Sequence, residues 1–281
     1  MVAEKAHYPV TVLSRCLGVS RSGFYAWCRR APSARAQTDA RLLRQLRVLH
    51  ADSRGTYGRP RLQRALHERG VRVGANRLRR LMRASGLVAR GRRAFRVTTG
   101  HRMSDVVVPD RVQRRFVPAA LNEIWAGDIT ACWTTDGWCY LAVVLDLKSR
   151  RVLGWACDRT LDADLVRTAL QRALHRRAHP RVFHSDQGTQ YASRAFAAHL
   201  RTARIAASMS RRGNCWDNAP VESFFKTLKA ELWPLRPWSD VHTARRAIAD
   251  YIDQFYNRRR LHSAIGYRSP VAYEQDLTTA V

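Results

Sequence analysis

A near-continuous apolar run at residues 139–147 (CYLAVVLDL) limits the fold of this chain more than any other segment. The run does not alternate between apolar and polar residues, and it is short for a helix. It therefore predicts a strand that is buried on both faces. Residues 123–130 and 151–158 predict strands before and after it. The turns Thr135-Asp136-Gly137 and Lys148-Ser149-Arg150 suit hairpins between the three strands.

The remainder of this half alternates between helices and short strands. We predict helices at 162–177, 193–203, 220–232 and 240–258, and strands at 182–185 and 205–208. Three antiparallel strands followed by such an alternation indicate the α/β class, with a mixed five-stranded sheet covered by helices.

The N-terminal third predicts short helices. Ser20 is a good N-cap for a second helix within residues 9–30. The apolar residues of that segment suit a helix-turn-helix core: Val12, Leu13, Leu17, Val19, Phe24 and Trp27. Arg21, Ser22 and Tyr25 would then face outward toward DNA. A plain helical hairpin is the alternative reading of the same pattern.

A second helix-turn-helix-like unit follows, with predicted helices at 38–51, 59–69 and 75–85. In its third helix, Leu78, Leu81 and Met82 have the spacing of a buried face. Four arginines lie largely on the outer face as candidate DNA contacts: Arg77, Arg79, Arg80 and Arg83.

These segments predict four parts. Residues 1–35 form the first helix-turn-helix-like segment, 36–95 the second helical domain, and 96–117 a basic linker. Residues 118–278 form the catalytic domain, with a core at 118–235 and a C-terminal helix and tail at 236–278.

The charge of the chain indicates a nucleic-acid partner. The net charge is +28, and residues 1–117 hold 27 Lys and Arg residues against 6 acidic ones. Backbone phosphates commonly bind such a surface, because each neutralised phosphate releases counterions. Only four of the 50 basic residues are lysine. Either arginine's planar fork for phosphates and guanine edges or a GC-rich genome explains that bias.

Several classes of protein are excluded or disfavoured. No apolar run approaches the roughly 20 residues of a membrane span, and MVAEKAHYPV lacks the apolar stretch of a secretory signal. We therefore expect a cytoplasmic, nucleoid-associated protein with no membrane partner. The six cysteines form no C-x-x-C pair, so we expect buried free thiols and not a zinc site.

Three acidic residues stand at the ends of predicted elements. Asp128 lies in the first strand, Asp186 directly follows the fourth, and Glu222 opens a helix. Gly127 leaves room around Asp128, and Gly188 permits a sharp turn after Asp186. Strand ends and helix starts on one edge of a sheet can converge in space. We predict these three acids as the catalytic and metal-binding residues.

The helix of Glu222 is expected to begin at a cap formed by Asp217 or Asn218, with Pro220 in its first turn. Lys226 and Lys229 follow Glu222 at helical spacing and would share its face. They are candidates for holding a DNA phosphate near the metal, and an ordinary salt bridge is the alternative. Because Glu222 follows a Gly- and Asn-containing loop at 209–219, we expect it to be positioned last, when DNA and metal bind.

Three carboxylates suit phosphodiester chemistry. That chemistry uses two divalent cations roughly 3.5–4 Å apart, which activate the attacking oxygen and stabilise the leaving one. Mg²⁺ and Mn²⁺ prefer carboxylate oxygen. We therefore predict two Mg²⁺ ions, for which Mn²⁺ would substitute. Water would attack first, and the freed 3′-hydroxyl would then attack a second phosphodiester and join the strands.

The motifs around these acids resemble those of a known family. They are WAGDIT at 125–130, HSDQGTQY at 184–191, MSRRGNCWDNAPVESFF at 209–225 and Y-N-x-x-R-x-H-S-A-I-G-Y-x-S-P at 256–270. Thirty-five residues separate Asp186 from Glu222, and Lys229 lies seven residues past Glu222. Over nearly its whole length the chain resembles the OrfB-type transposase of the third bacterial insertion-sequence family. That family shares its catalytic core with retroviral integrases.

The resemblance implies an RNase H-like integrase core, two divalent metals, and a triad of Asp128, Asp186 and Glu222. It also implies binding of double-stranded DNA at terminal inverted repeats and at the target, by a homo-oligomer. Gln187 and Trp216 depart from the family pattern. The family often fuses this frame to an upstream reading frame, whose product is a possible partner.

Other residues leave their roles open. Tyr256, Asn257, Arg258, His262, Tyr267 and Pro270 either pack the tail against the last helix or contact DNA. We interpret His184 as a supporting or packing residue and not as a metal ligand. Trp125, Trp138 and Trp155 are interpreted as core residues.

Three functions fit these observations. The first is a transposase that cuts and joins DNA at the ends of an insertion sequence. The second is a non-catalytic DNA-binding regulator or a decayed transposase. The third, a ribonuclease of the same fold, fits the triad but not the N-terminal helical units.

The charge generates a prediction about salt. DNA affinity should fall by about 10³–10⁵ between 50 and 200 mM salt if roughly six to ten phosphates are neutralised. Fluorescence anisotropy of a labelled duplex, titrated at several salt concentrations, measures this slope. An affinity that is independent of salt would contradict it.

Overall fold

The computed structural model describes residues 1–90, 108–211, 215–233 and 237–279. A five-stranded mixed sheet lies in the second half of the chain, in the order β3-β2-β1-β4-β5. Its strands are β1 (Ile124–Thr134), β2 (Gly137–Asp146), β3 (Val152–Asp158), β4 (Val182–Ser185) and β5 (Ala206–Met209). The predicted mixed five-stranded sheet is confirmed.

The first three strands form an antiparallel meander around the apolar run of β2. Ten residue pairs join β1 to β2, from Trp125↔Asp146 to Thr134↔Gly137. Gly137 closes this hairpin at a φ of 115°, a backbone conformation that favours glycine. β1 extends four residues past its predicted end at 130, because β2 continues the pairing as far as Thr134↔Gly137.

The helices flank this sheet and form the N-terminal third. They are α1 (Val10–Cys16), α2 (Arg21–Arg29), α3 (Ala34–Asp52), α4 (Arg59–Glu68), α5 (Ala75–Ala84), α6 (Ala163–Arg176), α7 (Arg194–Thr202), α8 (Ala219–Leu232), α9 (Val241–Ala249) and α10 (Pro270–Thr279). No helix within the described ranges is long and apolar enough to cross a membrane. The predicted basic linker at 96–117 lies in part outside the described residues, which resume at residue 108.

Helix α9 continues into a π-helical segment, Asp250–Tyr256. Tyr251, Ile252, Phe255 and Tyr256 are all buried in this segment, and they continue the buried face of α9, which carries Val241, Ala244 and Ile248. The helix predicted at 240–258 is therefore present, but its second half is wound more loosely and turns four large side chains inward.

Helices α3, α4 and α5 share one core with the catalytic half. Leu46, Leu62 and Leu78 are fully buried and belong to the same apolar cluster as Phe224 and Ile248. Polar contacts add to this packing. The Tyr57 hydroxyl donates to the carbonyl of Arg259 (3.0 Å) and accepts from the N–H of Leu261 (2.7 Å). The second helical unit is therefore docked firmly on the catalytic half.

The predicted core of α1 and α2 is wrong in most of its members. Phe24 is buried and Leu13 is partly buried, but the other four side chains of the predicted core are exposed, with Trp27 at 60%. Val12, Leu17 and Val19 are similarly open to solvent. Two helices of seven and nine residues are too small to enclose six apolar side chains.

Two other interpretations of buried residues need correction. Trp125 and Trp155 are buried as predicted, but Trp138 is 49% exposed near the tip of the β1–β2 hairpin, where it makes an edge-to-face contact with Trp133. Cys132, Cys139 and Cys157 are buried free thiols, whereas Cys16 and Cys28 are exposed on the small helices α1 and α2. Trp138, Cys16 and Cys28 are exposed because few other residues pack over the hairpin tip and over the two small helices.

The C-terminal motif packs against the sheet. The Asn257 side chain accepts from the N–H of Val152 (3.0 Å) and donates to its carbonyl (2.9 Å), as a neighbouring strand would. Tyr256 is buried, and its hydroxyl lies 3.0 Å from Nε2 of His262. For these residues the structure favours packing over DNA contact, while Arg258 is exposed.

The Tyr57 contacts generate a prediction about stability. Tyr57→Phe should lower the free energy of unfolding by about 1–3 kcal/mol, because it leaves the buried Leu261 N–H without its acceptor. Thermal and chemical denaturation measure the loss. Tyr25→Phe, at an exposed tyrosine, is the control and should change stability by less than about 0.5 kcal/mol. Equal stability of the two variants would contradict the docking role.

Candidate active site

The sheet brings Asp128 and Asp186 side by side. β1 and β4 are parallel neighbours, and their last paired residues are Ala126 and His184. Asp128 and Asp186 each lie two residues past that pair, so Asp186, directly after the end of β4, lies beside Asp128 on β1. Two of the three predicted acids therefore meet at the carboxyl end of β4.

The environment of Asp128 opposes its negative charge. Burial raises the pKa of Asp128 well above its ordinary value, and the neighbouring carboxylate of Asp186 raises it further. The N–H of Ile129 donates to its Oδ1 (2.8 Å) and partly offsets these effects. Burial and the same two aspartates also raise the pKa of the Tyr191 hydroxyl. The pair is therefore suited to a cation, which would compensate both carboxylates.

The two glycines beside these acids are required by close approach. A Cβ on Gly127 would lie 2.5 Å from Cζ of Phe183 and 3.1 Å from the hydroxyl of Tyr191. A Cβ on Gly188 would lie 3.0 Å from Oδ1 of Asp186, which accepts the N–H of Gly188. Larger residues at either position would push against the side chains that surround the two carboxylates.

Glu222 does not complete the site in this structure. It lies in the first turn of α8, where Lys226 Nζ is 3.5 Å from its Oε2. Its charge raises the pKa of Asp128, but less than burial and Asp186 do. Within the described ranges, no group of three acidic, histidine or cysteine side chains is arranged to hold a metal ion. The structure therefore brings two acids together and leaves the third apart.

The two lysines of α8 are in different environments, although the sequence predicted one shared face. Lys226 is exposed and pairs with Glu222. Lys229 is half-buried, with Nζ 5.8 Å from the ring centre of Trp233, and burial lowers its pKa. Its positive charge acts on Asp128 and opposes the rise of that carboxyl's pKa. Lys229 is therefore the lysine on the side of the aspartate pair.

The start of α8 differs from the predicted cap. Asn218 occupies the N-cap position, but its side chain accepts no backbone N–H, and its Nδ2 donates to the carbonyl of Gly127 (3.1 Å). Asp217 instead binds the guanidinium groups of Arg114 and Arg211, which hold its pKa far below the usual range. Sequence reasoning missed both arginines. The only local sign of a polar contact at this point is the pair Asp217-Asn218, which directly precedes the Ala-Pro at the start of the helix.

His184 is a packing residue, as predicted. Its Nδ1 lies 2.9 Å from the hydroxyl of Ser208, and its Nε2 lies 2.9 Å from the carbonyl of Asp217. Burial lowers its pKa, so the ring is neutral. Both nitrogens have partners within the fold and are not directed at a metal.

The predicted DNA contacts are only partly free to meet DNA. Arg21, Ser22 and Tyr25 are exposed on α2. On α5, Arg77 and Arg80 both bind the carboxylate of Asp39, the former at 2.7 Å. The two remaining arginines of that helix, Arg79 and Arg83, are exposed. The sequence did not indicate Asp39, because it lies 38 residues before Arg77.

Family models match three segments of the chain. The model described as "Integrase core domain" matches residues 118–215, and a second model with the same description matches 203–270. The model described as "HTH-like domain" matches residues 37–95.

Curated relatives match almost the full length. An uncharacterized 31 kDa protein of insertion element IS600 from Shigella sonnei is 38% identical over 94% of this chain and 97% of its own. Transposase InsF for insertion sequence IS3A from Escherichia coli strain K12 is 37% identical over 96% of each chain.

Solved integrases are similar at lower identity. The HTLV-2 integrase catalytic core domain in complex with magnesium covers 56% of this chain and 97% of its own, with a TM-score of 0.43 and 18% identity. A chain of the simian T-cell lymphotropic virus intasome in complex with PP2A regulatory subunit B56 gamma covers 82% of this chain and 73% of its own, with a TM-score of 0.47 and 18% identity.

The mixed sheet, the adjacent aspartates and the two core matches define an integrase-core polynucleotidyl transferase. The curated relatives specify which kind of polynucleotidyl transferase this is. The chain belongs to the family of transposases encoded by IS3-type insertion sequences, as the resemblance implied.

The aspartate pair generates a prediction about stability without metal. The unfolded chain loses the Asp128 proton near pH 4, whereas the folded chain keeps it to higher pH. The stability of the wild type relative to Asp128→Asn should therefore fall as pH rises above about 4. At pH 7.5 the variant should melt several degrees higher than the metal-free wild type.

Differential scanning fluorimetry across pH, with and without Mg²⁺, measures this effect. Mg²⁺ should raise the melting temperature of the wild type and not that of Asp128→Asn. Asp276→Asn, at an acid on α10, controls for loss of an exposed charge. If the metal-free wild type has a higher melting temperature than Asp128→Asn at pH 7.5, the repulsion between Asp128 and Asp186 is contradicted.

Proposed function

We propose that this transposase cuts and joins DNA at insertion-sequence ends with Asp128, Asp186 and Glu222 as its catalytic, metal-binding residues. The half-buried aspartate pair at the end of β4 is the observation that carries the proposal. Its donors fit a hard divalent cation, because carboxylate oxygens are the preferred ligands of Mg²⁺ and Mn²⁺. When bound, two such ions would activate the attacking oxygen and stabilise the leaving oxygen.

The three proposed catalytic residues are positioned by different elements of the fold. Asp128 is held within the paired strand β1, and Asp186 directly follows β4, where its Oδ1 accepts the N–H of Gly188, so both carboxylates have a defined place before DNA arrives. Glu222 lies on a helix and pairs with exposed Lys226. We infer that Glu222 is positioned last, when DNA phosphates take Lys226 and a cation attracts the carboxylate. Lys229 would hold a phosphate beside the aspartates.

The DNA would be held by the helical units. Arg79 and Arg83 on α5 face solvent on a unit that shares its core with the catalytic half. Arg77 and Arg80 would contribute less, because Asp39 already neutralises part of their charge. Arg21, Ser22 and Tyr25 on α2 are proposed as further contacts. The bound DNA would be terminal inverted repeats and target DNA, held by a homo-oligomer.

Two finer parts of the proposal concern the cell. An upstream reading-frame product is a possible partner for recognition of the ends. Nucleoid association would follow from the +28 net charge.

A non-catalytic DNA-binding regulator or a decayed transposase is the alternative. The observation that favours it is the separation of Glu222 from the aspartate pair. The half-buried aspartates argue against it, because a pure DNA-binding protein has no use for two repelling carboxylates.

Cleavage of a DNA element end tests the proposal. Asp128→Asn, Asp186→Asn and Glu222→Gln should each lower Mg²⁺-dependent cleavage by at least about 100-fold, since loss of a residue that merely supports a ligand typically costs 10–100-fold. Asp276→Asn is the matched control and should cleave normally. Equal products from wild type and Glu222→Gln would contradict the proposal, and no product from the wild type would favour the DNA-binding alternative. An RNA–DNA hybrid tested in parallel addresses ribonuclease activity.

The α5 arginines generate a second prediction. Arg83→Ala should weaken duplex binding and reduce the slope of log affinity against log salt by about 1. Arg77→Ala, at an arginine held by Asp39, is the matched comparison and should have the smaller effect. Anisotropy titrations at several salt concentrations measure both. A larger effect of Arg77→Ala would contradict the assignment of the free arginines.

A further inference from the structure

Asn218 joins the two elements that carry two of the proposed catalytic acids. Its Nδ2 donates to the carbonyl of Gly127 at 3.1 Å, and its side chain is only 3% exposed. Gly127 directly precedes Asp128 on β1. Asn218 is the N-cap residue of α8, four residues and about one turn before Glu222. This hydrogen bond therefore links the strand of Asp128 to the helix of Glu222.

The orientation of the amide follows from its partner. A backbone carbonyl only accepts hydrogen bonds, so Nδ2 must face Gly127 and Oδ1 must face away. Among the described residues, Oδ1 is buried and has no hydrogen-bond donor. A buried amide oxygen without a donor costs about 1–3 kcal/mol.

The Asn218 side chain does not form the hydrogen bond by which an N-cap residue usually stabilises its helix. An asparagine at the N-cap usually has extended backbone angles, and its side-chain oxygen accepts an N–H of the first turn. Asn218 has φ −120° and ψ 27° and makes no such bond. The arrangement thus gives up both a helix cap and a partner for Oδ1. Departures of this kind from local stability are typical of functional sites.

We propose that Asn218 is a positioning residue for the metal site, which sets the start of α8, and with it Glu222, against the strand of Asp128. This inference rests on the proposed metal-dependent function. It assigns Asn218 no contact with substrate or metal. Asn218 acts through Glu222, so its loss should weaken cation binding by the completed site.

Mn²⁺ binding to the full-length protein in complex with a DNA duplex that lacks an element end, measured by calorimetry without turnover, tests the inference, because Glu222 is proposed to be positioned when DNA binds. Asn218→Ser is neutral and keeps the ability to cap α8, but it lacks the amide that reaches Gly127. It should bind Mn²⁺ about 10-fold or more weakly than the wild type. Asn218→Asp, a close isostere that caps equally well, should also bind weakly despite its added negative charge, and it replaces the serine variant if that protein does not fold.

Asn257→Ser is the matched control. Asn257 is equally buried and makes two hydrogen bonds to Val152, so this variant loses a buried amide away from the carboxylates. It should lower the melting temperature and leave Mn²⁺ affinity unchanged. In a double variant, Asn218→Ser should add little to the loss caused by Glu222→Gln, because both act through the same carboxylate.

Two results would overturn the inference: wild-type Mn²⁺ affinity in Asn218→Ser, or losses from Asn218→Ser and Glu222→Gln that add in full. Failure of the proposed metal-dependent function gives a different result from failure of the Asn218 inference alone. If Asp128→Asn binds Mn²⁺ as tightly as the wild type, the carboxylate site itself is wrong, and the inference fails with it. If only Asn218→Ser retains full affinity, the metal site stands and Asn218 has no part in it.

Discussion

The parallel pairing of β1 with β4 is the constraint on which the proposed active site depends. It places Asp186, directly after β4, beside Asp128 on β1, where burial and the charge of Asp186 both oppose ionisation of Asp128. Such a pair persists because the structure around it is rigid. Ten residue pairs hold β1 to β2, and Phe183 and Tyr191 enclose Gly127. The fold thus maintains an unfavourable pair of charges that a cation would relieve.

The third acid is held differently, and this difference has a physical basis. A strand in the middle of a sheet is fixed along both edges, whereas the first turn of a helix depends on its cap and its packing. In α8 the capping side chain is used instead to bind β1, and Glu222 pairs with Lys226 in partial exposure to solvent. The proposed site therefore combines a fixed half with a half that can still adjust.

The N-terminal helices connect to this site with unequal strength. Helices α3 to α5 share the core of the catalytic half. In that half, Arg260 and Glu231 form a buried ion pair (2.7 Å), and the Tyr251 hydroxyl donates a hydrogen bond to Glu231. DNA held by α5 would therefore lie at a set distance from the carboxylates. Helices α1 and α2 bury little apolar surface of their own, so their exposed side chains remain open for contact with other molecules.

The sequence by itself determined the mixed sheet and the strand and helix order, because apolar periodicity is a local property, and its motifs implied the integrase-type fold and named the three candidate acids. It erred at α1–α2 and at Trp138, since burial depends on how much of the rest of the chain lies over a residue. Only the tertiary structure decided that Asp39 holds Arg77 and Arg80, that Lys229 rather than Lys226 faces the aspartates, and that Asn218 binds β1. These pairings join residues distant in sequence, or select between neighbours on one helix, and only packing in three dimensions determines them.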